Sequence, residues 1–410
     1  MSIADVAAWA NSEKLSRTTF VKYAAVGPTQ RWRVRYLAMR TIILSLLALP
    51  ARPATANPSM TLSSPQDYQV FQRHTRTQGA VSIDGQATDG STVEVRMTGQ
   101  EWKPLPVELK TGAFHASLAA PAGGWYQVDA RLLAGGAVVA EATVAHVGIG
   151  EIFIVAGQSN SCNYGAEKQK PASGKVASFD GKKWAIADDP QPGGGGKGGS
   201  FMPAFGDAMV ARFDVPVAVA ACGIGSTSVR QWLPKGSIMT NEPTTGALVK
   251  QIEPGKWEAT GEPFEGLMKR VDALGPHGFR AILWHQGESD AGHARAGYPA
   301  DRQITGNQYQ QFMEQLIRAS REQAKWEIPW FVAQATYHSE KDPADEEFRA
   351  AQKALWDDGI ALQGPDTDSL GKEFRAGVHF NAKGLAAHGK LWGDKVGDWL
   401  EKTLKDEAEP

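Results

Sequence analysis

Three short stretches of the 410-residue chain carry groups suited to acyl transfer, a reaction that needs a nucleophile, a base to take its proton and donors for the oxyanion that forms. Gly157-Gln158-Ser159-Asn160 offers the hydroxyl of Ser159 directly after an apolar run. Gly223-Ile224-Gly225-Ser226-Thr227-Ser228 is built of small residues, so its backbone amides can approach a substrate oxygen closely. Trp284-His285-Gln286-Gly287-Glu288-Ser289-Asp290 brings Gln286, whose side-chain amide can point into the same space.

A base must come from one of nine histidines, and position separates them. His74, His115 and His146 fall in a β-patterned region, His277 in a Gly-Pro turn and His388 on the apolar face of the last helix, so these five read as structural. His285 and His293 flank the third stretch, and His338 follows a strand. His379, in Gly377-Val378-His379-Phe380-Asn381, precedes the last helix in a loop that opens on the same side as Ser159. It is the favoured base, with His285 in reserve.

These groups need a scaffold that gathers them at one edge. Ile152 to Ala156 is a continuous apolar run without helical period, as expected of a parallel strand covered on both faces. The glycine after it lets the chain turn and sets Ser159 at the strand's carboxyl end, where open α/β sheets bind ligands. Val217 to Ala221, Ala281 to Trp284, Trp330 to Gln334 and Ile360 to Leu362 are further strands of this kind. Helices alternate with them. Tyr309, Phe312, Met313, Leu316 and Ile317 share one helical face, as do Leu385, His388, Leu391, Trp392, Val396 and Trp399. Asp342-Pro343 reads as the start of another helix, with Gly359 at its exit. The alternation implies a parallel sheet with helices on both faces and a flavodoxin-like strand order.

Upstream, residues 60–148 alternate with period two, as in Val93, Val95 and Met97 or Tyr126, Val128, Ala130 and Leu132. They predict a small all-β sandwich of about seven strands. A length of 410 residues fits two such domains, the second covering 150–402. The run Gly193 to Gly199 resembles a phosphate cradle, but no Ser or Thr follows its Gly-Lys pair and no strand leads into it, which leaves a flexible surface loop near the site mouth.

Composition excludes other classes. Lys and Arg number 43 against 45 Asp and Glu, and a net charge of -2 offers no basic field for nucleic acid. Arg31, Arg33, Arg35 and Arg40 precede the apolar stretch Ile42 to Leu49, and Ala54-Thr55-Ala56 supplies a small-x-small cleavage site. This predicts a signal peptide cleaved near Ala56, with translation starting at Met39, and a secreted or periplasmic protein. The stretch falls short of the roughly 20 apolar residues of a membrane span, so no stable span is expected. Export gives Cys162 and Cys222 two readings, a disulfide beside the site or two buried thiols. No His-Glu-x-x-His or paired cysteine pattern indicates a metal, no cofactor is implied, and oligomeric state is not legible.

Gly-Gln-Ser-Asn at 157–160, the Gly-Ser-Thr-Ser run leading to Trp232, Trp-His-Gln-Gly-Glu-Ser-Asp at 284–290 and Gly-Val-His-Phe at 377–380 together resemble the SGNH hydrolases. The branch they are most similar to is that of carbohydrate esterases, which includes sialate O-acetylesterases and acetylxylan esterases. The resemblance implies a flavodoxin-like three-layer domain, Ser159 as nucleophile, His379 as base, and an oxyanion hole of the Ser159 amide, the Gly225 amide and Gln286. The expected substrate is an acetylated carbohydrate, with Asn160, Trp232 and His285 in contact with it. One position departs. The family places an aspartate three residues before the histidine, and here that residue is Ala376. Glu288, Asp290, Asp366 and Asp368 are candidates for the orienting acid, Glu288 first because its motif already enters the site. A carbohydrate-binding pseudo-enzyme and a lipase or thioesterase are the alternatives.

Overall fold

The computed structural model describes residues 58–105, 112–243, 245–291, 299 and 302–404. The expected signal peptide, Met39 and His293 lie outside the described residues.

The period-two region forms β1 (Ser59–Ser64), β2 (Gln69–Gln72), β3 (Gln78–Thr88), β4 (Thr92–Met97), β5 (Lys103–Leu105), β6 (Ala113–Pro121) and β7 (Gly123–Ala134). Strands β1, β3 and β6 pair antiparallel in that order. Strands β5, β4 and β7 continue antiparallel into β8 (Ala137–Gly157). Every second residue points inward, so Val81 and Ile83 of β3, Phe114 and Leu118 of β6, Val93 and Val95 of β4, and Val128, Ala130 and Leu132 of β7 meet in one apolar cluster.

Strand β8 is 21 residues long and changes character midway. Its first half alternates exposed with partly covered residues while it pairs with β7. From Val147 onward every residue is buried. The change marks where a sheet with one wet face becomes a sheet covered on both, and it falls where the sequence changes from Ala-Glu-Ala-Thr-Val to Glu-Ile-Phe-Ile-Val. One strand thus runs through both regions that the hydrophobic pattern distinguishes.

The second half of β8 is central to a sheet made with β9 (Val176–Phe179), β10 (Trp184–Ile186), β11 (Val217–Ala221), β15 (Ala281–His285), β16 (Trp330–Gln334) and β17 (Leu362–Asp366). Between β11 and β15 lie three short strands in a sheet of their own, β12 (Ile238–Met239), β13 (Val249–Glu253) and β14 (Lys256–Ala259). The main order is β10-β9-β11-β8-β15-β16-β17, and every pair is parallel except β10 with β9. The five strands anticipated from apolar runs therefore lie in the order 2-1-3-4-5, which places the reversal of strand order beside β8.

Five helices accompany this sheet: α1 (Met202–Phe213), α2 (Glu262–Leu274), α3 (Gly306–Ala324), α4 (Glu346–Asp357) and α5 (Ala382–Thr403). Ile152, Ile154 and Ala156 of β8 share a cluster with Leu267 of α2, Leu316 of α3 and Leu355 of α4. The intervening Phe153 and Val155 share another with Phe205 of α1 and Trp392 of α5. Burying side chains of this size contributes about 1.5–3 kcal/mol each. One charge lies within this apolar frame. Glu151 is fully buried and is bound by Arg73 Nε at 2.7 Å, Arg280 Nε at 2.7 Å and Gln72 Nε2 at 2.9 Å.

Three local expectations are corrected. Helix α4 starts at Glu346, not at Pro343, because Asp345 caps it by accepting from the Glu347 and Phe348 amides, while Asp342 closes a turn with Ser339. The last strand begins at Leu362, because the amides of Ile360 and Ala361 still bond to Leu355 O at the end of α4. The glycine run 193–199 is a packed element: Gly195 N donates to Gly223 O, Asn163 N to Gly195 O, and Gly199 and Gly165 exchange two bonds. Its glycines are required there, since a Cβ on Gly199 would come within 1.9 Å of Glu167 O.

Candidate active site

Ser159 begins a 3-10 turn, Ser159–Ser161, at the carboxyl end of β8. The turn is closed by Ser161 N and Cys162 N donating to Gln158 O and Ser159 O. It can start so abruptly because Gly157 has φ +125 and lies where a Cβ would be 2.1 Å from His285 O. Ser159 is only 6% exposed, yet its Oγ has no protein partner among the described residues, and neither do its own amide and that of Gly225. A nucleophile and two oxyanion donors are thus left unengaged among the described residues, at the carboxyl end of β8 and in the loop after its neighbour β11.

His379 is borne by a two-strand hairpin of β18 (Arg375–Ala376) and β19 (His379–Phe380), turned by Gly377 at φ +71. Residues of β19 approach the Ser159 turn within 8 Å between Cα atoms. The His379 ring makes no hydrogen bond among the described residues and lies 5.5 Å, centroid to centroid, from the ring of Tyr164. Burial lowers the affinity of His379 for a proton, Glu288 opposes that and Arg375 adds to it, so its pKa lies below the ordinary histidine value.

Glu288 is buried beneath this hairpin. Its Oε1 accepts from Asn160 Nδ2 at 2.9 Å and lies 3.2 Å from His285 Nε2, while Oε2 is buried with no partner. Burial alone would raise its carboxyl pKa, but the His285 ring and the Asn160 amide outweigh that and hold it below the ordinary value. Asn160 Nδ2 also donates to Val378 O at 3.2 Å, so it ties Glu288 to the residue preceding His379. The other three carboxylates have structural duties. Asp290 accepts from Ser228 Oγ, Val229 N and Gln286 Nε2, and Asp366 holds Arg349 through both oxygens. Asp368 takes Thr336 N, Thr336 Oγ1, Tyr337 N and Arg349. Glu288 is the one candidate among these four with an unengaged oxygen.

Four expected contacts are corrected. Gln286 is 0% exposed, and its Nε2 faces Asp290 Oδ2 at 2.7 Å, Thr227 O at 3.1 Å and Gln158 Oε1 at 3.3 Å. Two amide hydrogens with three acceptors leave none for an oxyanion, so Gln286 braces the loop after β15. Trp232 is also fully buried, with Nε1 donating to Thr227 Oγ1 and its ring edge-on to Trp284 at 5.2 Å; it cannot stack on a sugar. His285 is 1% exposed, and the Asn160 amide is engaged as described, so these two act behind the cleft surface. Cys162 and Cys222 are free thiols, which burial pushes up to about 12. Among the described residues no group of three or more His, Cys, Asp or Glu side chains is arranged around a common metal position, and no helix is long and apolar enough to cross a membrane.

Two groups went unassigned in the sequence. Gln158 Oε1 accepts from Ser289 N at 2.9 Å and faces Gln286 Nε2, which fixes the amide and leaves Gln158 Nε2 without a partner among the described residues. Its place directly before the nucleophile was the available signal. Tyr164 is 36% exposed, and its hydroxyl lies where a Cβ on Gly225 would be 2.4 Å away, so glycine at 225 makes room for it. The packed glycine run seats its ring, with a Cβ on Gly196 coming 2.9 Å from Tyr164 Cδ2. No local pattern announces that contact.

Known proteins give three comparisons. The carbohydrate esterase family of sialic acid-specific acetylesterases matches residues 149–397, more than half of the chain. Among solved structures, a carbohydrate acetylesterase from Xanthomonas citri is 16% identical, with a TM-score of 0.50 over 82% of this chain and 73% of that one. At that identity the likeness is one of fold. A catalytic mutant of an acetylxylan esterase from Geobacillus stearothermophilus is 12% identical, with a TM-score of 0.37 over 64% of this chain and 99% of that one. No curated protein matches the chain.

Proposed function

The chain belongs to the sialic acid-specific acetylesterase family of carbohydrate esterases, and from that premise we propose that it is an exported serine esterase removing O-acetyl groups from a carbohydrate through an acyl-enzyme on Ser159. The observation that carries this reading is the set of unengaged groups at the end of β8. The Ser159 hydroxyl, its own amide and that of Gly225 have no partner among the described residues, and the hairpin that bears His379 approaches the Ser159 turn. In the same reading, residues 150–402 are an SGNH-type three-layer domain, the strands of 60–148 are its β-sandwich accessory, and the segment through Ala56 directs export.

His379 takes the Ser159 proton as Oγ attacks the ester carbonyl, and the two amides receive the oxyanion. In the free enzyme the Ser159–His379 bond is unformed, as catalytic hydrogen bonds often are before substrate arrives. The third donor assigned here is Gln158 Nε2, because its oxygen is already held and its nitrogen is unengaged. Collapse of the tetrahedral intermediate passes the proton from His379 to the sugar oxygen. Water, deprotonated by His379, then attacks the acetyl-serine, and acetate leaves. Glu288 orients the base through its unpartnered Oε2, in place of an acid at 376. Tyr164 offers the exposed ring and hydroxyl to the sugar.

The test compares wild type and Ser159→Ala on an aryl acetate, an acetylated sugar and an aryl octanoate. Acetate release that vanishes in the variant, with its melting temperature unchanged, is expected. An unaffected Ser159→Ala rate, or a preference for the octanoate, would overturn the assignment.

A further inference from the structure

Tyr164 borders both the oxyanion loop and the base, and its hydroxyl has no partner among the described residues. The segment that carries it is held on two sides. Ala166 N donates to Phe380 O at 2.9 Å, which ties it to the residue after His379, and Gly165 exchanges two bonds with Gly199 of the glycine run. The Tyr164 ring lies 5.5 Å, centroid to centroid, from the His379 ring and is tilted 34° to it. At the other end of the ring, a Cβ on Gly225 would come 2.4 Å from the hydroxyl and 2.6 Å from Cζ. The phenol oxygen therefore packs on the backbone of the residue whose amide is assigned to the oxyanion.

Neighbouring hydroxyls are already committed. Ser161 Oγ donates to Gln158 O at 2.6 Å, and Thr227 Oγ1 to Ile224 O at 2.8 Å. Tyr164 is 36% exposed, so a substrate can reach it. Burial, and then Cys162, raises its pKa above the ordinary value, so the group is a neutral phenol able to donate and to accept.

The proposed cycle fixes which part of a substrate lies there. His379 returns the serine proton to the sugar oxygen, so the leaving alcohol lies on the His379 side of the ester carbonyl, while the carbonyl oxygen faces the Gly225 amide. Tyr164 touches both of these positions. A substrate group that meets its hydroxyl must then be borne close to the ester oxygen, and the carbon next to the acetylated one is the nearest that carries a hydroxyl.

We propose that Tyr164 determines specificity on the alcohol side, its hydroxyl bonding a free hydroxyl on the carbon adjacent to the acetylated one, so that the preferred substrates are monoacetylated vicinal diols of a sugar. The inference rests on the esterase reading and narrows it from acetylated carbohydrates to esters with an unmodified neighbour. A sugar acetylated at both positions has no hydroxyl to offer and falls outside the class.

The test compares wild type and Tyr164→Phe on cyclohexyl acetate and on the cis and trans monoacetates of cyclohexane-1,2-diol, which differ from it by one hydroxyl. The variant removes a single oxygen and keeps the ring beside His379 and the glycine run. Wild type should favour one of the diol esters, and Tyr164→Phe should lower the ratio of its kcat/KM to that of cyclohexyl acetate by about two- to tenfold, the effect of one neutral hydrogen bond. A ratio that the variant leaves unchanged overturns the inference. An equal loss on every ester is such a result and would give the hydroxyl to the oxyanion. Ser159→Ala separates this outcome from failure of the esterase reading. Absence of hydrolysis by wild type, or hydrolysis that survives Ser159→Ala, sinks both; hydrolysis that Ser159→Ala abolishes, with the ratio unchanged in Tyr164→Phe, sinks this inference alone.

Discussion

Glu288→Gln removes one charge and almost no volume, so it separates the electrostatic role of this residue from its role as a strut. The amide oxygen can still accept from Asn160 Nδ2, now at 2.9 Å from Oε1, and Asn160 keeps its hold on Val378 O. What disappears is the negative charge that raises the proton affinity of His379 against burial and Arg375. The sign follows from the direction of the lost contribution. Without Glu288 the imidazolium is less stable, His379 stays unprotonated to lower pH, and the acid limb of kcat/KM moves down. On the plateau, turnover falls toward the roughly 10⁴-fold loss that follows when a triad keeps its geometry but loses its orienting carboxylate. The pH–rate profile on an aryl acetate reads both effects. A plateau within about threefold of wild type, with the acid limb unmoved, would refute the argument and leave Glu288 as a strut.

Ala376 lies directly across the β18–β19 hairpin from His379, where facing Cβ atoms are about 4.5–5.5 Å apart. Ala376→Asp should therefore raise the acid limb and recover at least about tenfold of the turnover lost in Glu288→Gln; no recovery in that double variant would show that a carboxylate at 376 cannot serve this histidine. At the start of the second half of β8, Glu151→Ala leaves the buried Arg73 and the half-buried Arg280 guanidinium without their counter-charge, at a cost of about 3–5 kcal/mol. Urea denaturation should show that loss while activity per folded molecule is retained, and a loss below about 1 kcal/mol would mean that water or rearrangement compensates the arginines.

Much of the scaffold was legible because its signals are local. A run such as Ile152 to Ala156 can be buried on both faces only in a parallel sheet, and the glycine after it, at φ +125, is the cheapest place to turn. Three of the four motifs lie at the ends of β8, β11 and β15 for the same reason, and the hairpin that carries the fourth reaches the Ser159 turn. Side-chain direction was not legible. Gln286 and Gln158 are both amides in site motifs, and which of them turns inward depends on Asp290, Thr227 and Ser289, none adjacent to Gln158 in sequence. Trp232 follows a loop that enters the cleft, yet the capping box of Ser228 and Gln231 rotates it into the core against Trp284. The glycine run lacks the marks of a phosphate cradle and so suggests a flexible loop, whereas its absent side chains allow backbone to pack on backbone beside Tyr164.

His388 shows what a periodic pattern omits. Its place on the apolar stripe of α5 correctly indicated burial, and burial was equated with a passive role. A buried histidine still takes polar partners, and His388 Nε2 lies within hydrogen-bond distance of both Trp392 Nε1 and His285 Nδ1. These contacts run from Trp392 to His388, to His285, to Glu288 and, through Asn160, to the hairpin carrying His379. A carboxylate at 376 would sit on the exposed side of that hairpin and need none of this support. Glu288 approaches from the buried side, where a carboxylate stays charged only beside a cation. A carboxylate supplied at 376 should therefore serve His379 without Glu288, which is what the Ala376→Asp, Glu288→Gln double variant reads.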